Sequence, residues 1–294
     1  MKIATNKLAD LYEFYKKELV GIYDENELYS IFELVCEHYL GYTKGNTKTQ
    51  FEGNLNQSDV LKIYDTGKAL KTGTPIQYIL GEAWFYDLKF NVTPATLIPR
   101  PETEELVDII IKDTKAEYLN SKSSYSVLDI GTGSGCIPIA IKHHIRGAKV
   151  YGMDVSEDAL HVAKQNSVKN NAEVHFIKQD VLTPFNIQNS TFNIIVSNPP
   201  YVLKSEAEKM DERVLKHEPH LALFVEDSDP IIFYKRIIDL CHSNLAPNGS
   251  LYFELNPLHS MDVKKYANES NLFNFAELII DMSGKERFLK AQKK

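Results

Sequence analysis

The chain has 294 residues, 43% of them hydrophobic and 25% charged, with 33 basic against 40 acidic side chains and a net charge of −7. At roughly 150 residues per domain this length suggests two domains without excluding one, and it can bury a core without disulfide or metal staples. The 14 glycines and 12 prolines exclude collagen-like and low-complexity chains, and the aromatic content excludes wholesale disorder. No apolar run approaches the ~18 residues that cross a bilayer, and charges interrupt the amino-terminal stretch in a way no signal peptide tolerates. Three scattered cysteines, Cys36, Cys136 and Cys241, fit a reducing cytoplasm. Nor is there a basic tract for phosphate backbones: residues 1–82 hold nine Lys and no Arg against twelve acids.

The first part of the chain reads as helical. Leu8, Leu11, Tyr12, Tyr15 and Leu19 recur at three- and four-residue steps within 4–20, one face of a helix. Asp24 followed by Glu27 resembles a capping signal, and Leu28, Ile31, Phe32, Val35 and Cys36 continue the stripe. Beyond Gly41 and the polar stretch 43–49, a helix is expected over 58–71, capped by Ser58, with Val60, Leu61, Tyr64 and Leu70 inward. These apolar faces need one another, so residues 1–80 are expected to form a small helical bundle. Trp84, Tyr86, Leu88, Phe90 and Val92 alternate around a turn near Asp87, which makes residues 81–98 a β-hairpin linker. Leu97-Ile98-Pro99-Arg100-Pro101 predicts an extended crossing, because each Pro restricts the residue before it. Thr103, Glu104 and Glu105 then open a helix to about Lys115.

From Tyr125 onward strands and helices alternate. Strands are expected at 126–130, 149–154, 173–178, 192–197 and 249–255, helices at 136–144, 156–170 and 230–243, and two tail strands around Ser283-Gly284. Such alternation means parallel strands joined by crossover helices, an α/β doubly wound, Rossmann-like sheet over 99–294.

The strongest chemical signal is Val127-Leu128-Asp129-Ile130-Gly131-Thr132-Gly133-Ser134-Gly135, a strand running into glycines that turn tightly beside a ligand. Asp154 ends the next strand, 19 residues past Gly135, where its carboxylate can accept from two ribose hydroxyls. Asp180 and Val181 close the strand after that, at the place to read an adenine edge. Three polar stations on successive strand ends define a nucleoside site. A dinucleotide fingerprint would demand glycine where Cys136 stands, and Asp129 would repel a pyrophosphate. That carboxylate suits a cationic cofactor instead, and S-adenosylmethionine carries a sulfonium and an amino group.

Asn198-Pro199-Pro200-Tyr201 follows strand 192–197, at a strand carboxyl end where ligands of open α/β sheets bind. The prolines stiffen the loop and leave the carbonyls of Asn198 and Pro199 outside regular structure. With the Asn198 side-chain oxygen and the flat face of Tyr201 they make an acceptor fork for a planar NH₂ group. Accepting both N–H protons aims the nitrogen lone pair and relieves positive charge as it develops. No general base has to be invoked.

These motifs together resemble the amino-methylating class I methyltransferases. The stretches Gly73-Thr74-Pro75-Ile76-Gln77-Tyr78-Ile79-Leu80-Gly81, Phe85 to Phe90, Thr96 to Glu104 and Glu218-Pro219-His220-Leu221-Ala222-Leu223 are similar to the HemK/PrmC family of release-factor glutamine methyltransferases. Residues 1–72 match it only in helical texture. The resemblance implies a class I sheet, mostly parallel with an antiparallel C-terminal strand. It also implies methyl transfer from S-adenosylmethionine to the amide nitrogen of the glutamine in the Gly-Gly-Gln motif of bacterial class I release factors. Gly131, Thr132, Gly133, Ser134 and Gly135 would wrap the methionine part of the cofactor, beside Asp129. Asp154 would hold the ribose, Asp180 and Val181 the adenine, and Asn198, Pro199, Pro200 and Tyr201 the target glutamine. The loop Pro99–Glu104 would line the cofactor site, with Arg100 either serving it or packing. Family members often carry an aromatic where Val181 stands, so stacking surface is reduced. A monomer without membrane or stable nucleic-acid partners is expected, its N-terminal bundle helping to recognise the release factor.

Three other readings compete. Exocyclic amines of adenine or guanine in DNA or RNA also meet N-P-P-[YF] loops, and the negative net charge and the hairpin-to-Pro99 match weigh against them. A nicotinamide oxidoreductase is disfavoured by Cys136 and Asp129, and a non-catalytic binding module by the intact motifs. His217 and His220 form H-x-x-H, but Pro219 spoils its helical geometry and no third ligand is near, so no metal is expected.

Overall fold

Helices α1 (Leu8–Glu18), α2 (Glu25–Leu40) and α3 (Gln57–Leu70) turn their apolar stripes into one core built on Leu11, Tyr15, Phe32, Val35 and Ile63. This computed structural model describes residues 6–43, 45–118, 125–184 and 191–294; the expected beginning of the first helix, before Asn6, lies outside them. Asp24 caps α2 by accepting from Glu27 N at 2.8 Å. The cap of α3 is Asn56, not Ser58: its Oδ1 accepts from Asp59 N at 2.9 Å. The inward stripe of α3 runs through Val60, Ile63, Gly67 and Leu70, so Leu61, expected inward, sits on the flank and is half exposed. Tyr15 drives its hydroxyl across to Ile63 O at 2.7 Å. A short helix, Ile76–Leu80, closes the segment. This unit comprises residues up to Gly81 together with 211–217, and Arg213 from the later stretch donates to Glu27 Oε1 at 2.7 Å and covers the Tyr23 ring.

The second unit comprises 82–210 and 218–294. It begins with the hairpin β1 (Glu82–Phe85) and β2 (Leu88–Asn91). Tyr86 and Asp87 both adopt positive φ, 49° and 62°, as a two-residue turn matched to strand twist requires. The turn breaks the alternation expected from Trp84 to Val92: Phe85 and Phe90 enter the core while Trp84 stays about half exposed. Next come α4 (Pro101–Tyr118), β3 (Ser126–Ile130), α5 (Cys136–His144), β4 (Lys149–Asp154), α6 (Glu157–Lys169), β5 (Val174–Lys178) and β6 (Phe192–Ser197). Pro101 sits at the first turn of α4, where its missing N–H costs nothing. The chain ends with α7 (Ile232–Asn244), β7 (Leu245–Glu254), α8 (Ser260–Glu269), β8 (Phe273–Ile280) and β9 (Glu286–Lys293).

The seven strands β3 to β9 form one sheet in the order β8-β9-β7-β6-β3-β4-β5. Pairing is parallel from β7 to β5, and β9 runs antiparallel to both its neighbours. Residues alternate between two cores: Val127, Ile194 and Tyr252 face α4, α5 and the hairpin, whereas Leu128, Ile195 and Phe253 face α7 and α8. Among the described residues no helix is long and apolar enough to cross a membrane.

A Cβ on Gly67 would lie 2.6 Å from Tyr15 Cε2 and 2.9 Å from Phe14 Cε1. Helix propensity favours alanine by about 1 kcal/mol, yet overpacking a tight core costs about 1–3 kcal/mol. Gly67→Ala is therefore expected to lower stability in urea denaturation, and a higher midpoint would show that the rings yield freely.

Candidate active site

Parallel register sets the site. Ile130 pairs with both Met153 and Ser197, and Asp154 pairs with Lys178. The chain therefore leaves β6, β3, β4 and β5 at one level, through Asn198, Gly131, Val155 and Gln179. A cleft of about 340 Å³ opens there, largely apolar in lining. Its wall carries Gly131, Thr132, Gly133 and Ser134 from the first motif, Asp154, Asp180 and Val181 from the next two strand ends, and Asn198, Pro199 and Pro200 from the proline loop.

The glycine loop is pinned by backbone. Gly131 N and Thr132 N both donate to Met153 O, at 2.8 and 2.9 Å, with φ of +76° at Gly131 and +53° at Gly133. Asp154 holds it from the side: Oδ2 accepts from Gly133 N at 2.8 Å and Oδ1 from Ser156 N at 2.9 Å. Burial raises the Asp154 pKa, against the pull of those N–H groups. Asp180 Oδ1 accepts from Leu182 N at 2.9 Å.

Three expected site residues stand off the cleft wall. Asp129 points to the α4–α5 face of the sheet, fully buried; neither carboxylate oxygen has a hydrogen-bond partner, and neither has the buried Oγ1 of Thr132. Gly135 caps α5, its Cα facing Ala163 and Ile139 so closely that a Cβ would meet both at 3.1 Å. Tyr201 packs on the α7 core and donates to Glu254 Oε1 at 3.3 Å.

Other residues complete the site, of which Glu254, Asn166 and Phe233 gave no sequence signal. Glu254, buried at the end of β7, accepts from Thr103 Oγ1 at 2.7 Å as well as from Tyr201. Asn198 Nδ2 in turn donates to Thr103 Oγ1 at 3.3 Å. Burial pushes the Glu254 carboxyl up to about 7, with Thr103 and Arg287 opposing and Glu102 adding to the rise. Glu218, only 4% exposed, accepts from Arg100 Nη2 at 2.5 Å and from Ile98 N at 3.3 Å. That pair fastens the Leu97–Arg100 wall of the cleft and accounts for Arg100. Asn166, buried on α6, donates to Ser134 O and Asn91 O at 2.9 Å each, tying the glycine loop to the hairpin. Phe233 of α7 lines the same cleft as Val181, so an aromatic face is supplied from another element.

Residues 114–221 match the family model described as Methyltransferase small domain. Among solved structures, the hMettl16 catalytic domain in complex with a 3′UTR hairpin aligns with a TM-score of 0.56 at 14% identity, covering 89% of this chain and 90% of that one. A T. thermophilus 16S rRNA methyltransferase in complex with AdoMet and guanosine gives 0.50 at 18%, covering 72% and 50%. Sheet order and neighbours together define a class I methyltransferase fold. In sequence the chain is 40% identical over 272 residues to the release factor glutamine methyltransferase of Flavobacterium psychrophilum, covering 92% of this chain and 94% of that one. With its counterpart from Bacteroides thetaiotaomicron the figure is 39% over 280 residues, covering 95% and 98%. The chain belongs to the release factor glutamine methyltransferase family.

Burial raises the Asp129 pKa from 3.8 to about 7, tempered by Thr132 and reinforced by Asp154. A carboxyl raised on folding costs nothing below its unfolded value, and the penalty grows until pH passes the folded one. Asp129→Asn should therefore stabilise the ligand-free protein at pH 8, by on the order of 1–3 kcal/mol, with the gain shrinking toward pH 5. Melting curves at both pH values check this, and a gain that does not vary with pH contradicts it.

Proposed function

We propose that this chain methylates the side-chain amide nitrogen of the Gly-Gly-Gln glutamine in bacterial class I release factors, with S-adenosylmethionine as donor. The observation that carries the reading is the placement of Asn198 on the wall of the cleft formed by four level strand ends, its NH₂ already engaged by Thr103. The names of the full-length relatives support the substrate.

The residues present fit that cofactor. Thr132 offers a buried hydroxyl without an assigned partner on the wall, and Asp129 places a buried carboxylate behind it, both suited to a cationic amino-acid portion. Each Asp154 oxygen keeps a further lone pair after its backbone bond, so the carboxylate can still accept from ribose hydroxyls. Asp180, Val181 and Phe233 would flank the adenine. When bound, the cofactor supplies an electrophilic methyl on a sulfonium.

The remaining chemistry belongs to the chain. Asn198 Oδ1 and the carbonyls of the stiff proline loop accept the two N–H protons of the entering carboxamide, orienting its nitrogen and stabilising charge that appears only in the transition state. An amide has no free lone pair in its ground state, so this differential stabilisation is what turnover requires. We assign recognition of the rest of the release factor to the helical unit, since one glutamine side chain cannot select a protein. A cytoplasmic place of action suits three buried, unpaired cysteines.

Labelled S-adenosylmethionine and cell extract test the reading directly. A labelled protein band that survives nuclease and maps to a Gly-Gly-Gln peptide is expected, and label lost with nuclease would transfer the activity to nucleic acid. Asn198→Ala should keep cofactor affinity while turnover falls about 10²–10³-fold; loss of affinity with a normal rate per bound cofactor would refute the acceptor role. Intact release factor should give a far lower KM than a Gly-Gly-Gln peptide, and equal values would remove the recognition role of the helical unit.

A further inference from the structure

Two side chains far apart in sequence meet behind Asn198. Thr103 stands in the first turn of α4 and Glu254 at the last position of β7, both buried. The Thr103 hydroxyl has a single proton. It lies 2.7 Å from Glu254 Oε2 and 3.3 Å from Asn198 Nδ2. In its ionised form Glu254 can only accept, so the proton goes to it and the hydroxyl must accept from its other neighbour.

That direction has a consequence at Asn198. Its amide can sit either way round with almost no change in shape. With the NH₂ toward Thr103, a hydrogen bond forms and Oδ1 is left as an acceptor. In the reverse orientation two oxygens would face each other without a proton between them, and the cleft would receive a donor where an incoming NH₂ needs an acceptor. The other Glu254 oxygen accepts from Tyr201 at 3.3 Å, so one carboxylate holds both ends of the Asn198–Tyr201 loop. Tyr201 is fixed a second time by Asn256 Nδ2, which donates to its carbonyl at 3.1 Å.

We infer that Glu254 and Thr103 are positioning residues, a proton-ordered relay that sets the orientation of the Asn198 amide and so makes its oxygen the group presented to the substrate NH₂. The relay rests on the reading of Asn198 given above and touches no reacting atom itself. It accounts for a charge-bearing side chain at the end of a buried strand, where an apolar residue would pack at lower cost. It also requires a hydroxyl at 103, which a β-branched residue of the same shape cannot replace.

Thr103→Val keeps the shape and removes the hydroxyl. Its kcat on intact release factor is expected to fall about 10- to 100-fold while cofactor affinity stays within about twofold, and Thr103→Ser should recover most of the loss. Glu254→Gln, with one acceptor facing two donors, should fall similarly, and the double variant should be little worse than either single one. Unchanged kcat in Thr103→Val overturns the relay, as do equal losses in valine and serine, additive losses in the double variant, or loss of cofactor affinity large enough to explain the slower rate. If Thr103→Val does not fold, Thr103→Ala against Thr103→Ser decides by the same criteria. Asn198→Ala is measured alongside. Normal turnover there removes the acceptor reading itself, whereas an inactive Asn198→Ala beside a fully active Thr103→Val removes the relay alone.

Discussion

Because β3 is hydrogen-bonded in parallel to both β4 and β6, with Ile130 level with Met153 and Ser197, the loops after these strands have to emerge together. A one-residue slip in any pair would turn a core-facing side chain to the other face, so burial on both faces of the sheet enforces the level. The candidates at the strand ends follow from that constraint. The glycine loop, Asp154, Asp180 and Asn198 are four exits from four neighbouring strands, and no loop has to reach far to meet the next.

Buried carboxylates appear twice at this end of the sheet, and their surroundings separate their roles. Asp129 has no hydrogen-bond partner for either oxygen and only the nearby Thr132 tempers its burial, so its ionised form carries a cost that a cationic ligand would offset. Glu254 accepts from two hydroxyls and lies near Arg287, so its charge is spent within the protein on holding other groups. Both sit on the α4–α5 face by strand parity, one residue beyond an apolar neighbour that faces α7. The first is suited to respond to what enters the cleft, the second to remain fixed while it does so.

What could be read from sequence was local. Gly131 to Gly135, Asp154 and Asn198 to Tyr201 announce themselves because a strand end and its loop are contiguous, and period two or period 3.6 reveals the elements that carry them. Reading failed where contact depends on chain segments far apart. Thr103 and Glu254 are separated by 151 positions, and Arg100 and Glu218 by 118. Nothing in the local pattern distinguishes Glu254 from a strand-end surface residue. Smaller errors had local causes. Asn56 outcompeted Ser58 as a cap, and the two-residue turn at Tyr86-Asp87 put Phe85 instead of Trp84 inward beside Phe90. Asn166 reads as one polar residue among several on α6, although it braces the glycine loop.

A fork of oxygen acceptors recognises planar NH₂ groups as a class. Glutamine amides and exocyclic base amines present the same two protons, so an acceptor fork alone would not tell them apart. Discrimination must come from what surrounds the fork. The chain contributes a net negative charge and no basic tract, unfavourable to a polyanion, together with a helical unit whose core is separate from that of the sheet. A protein substrate makes no demand for counter-charge but must be held at points beyond its reacting side chain. Chemistry set by a few lone pairs and selectivity set by a larger surface can then vary independently, and the first constrains the sequence only at the strand ends and the residues that brace them.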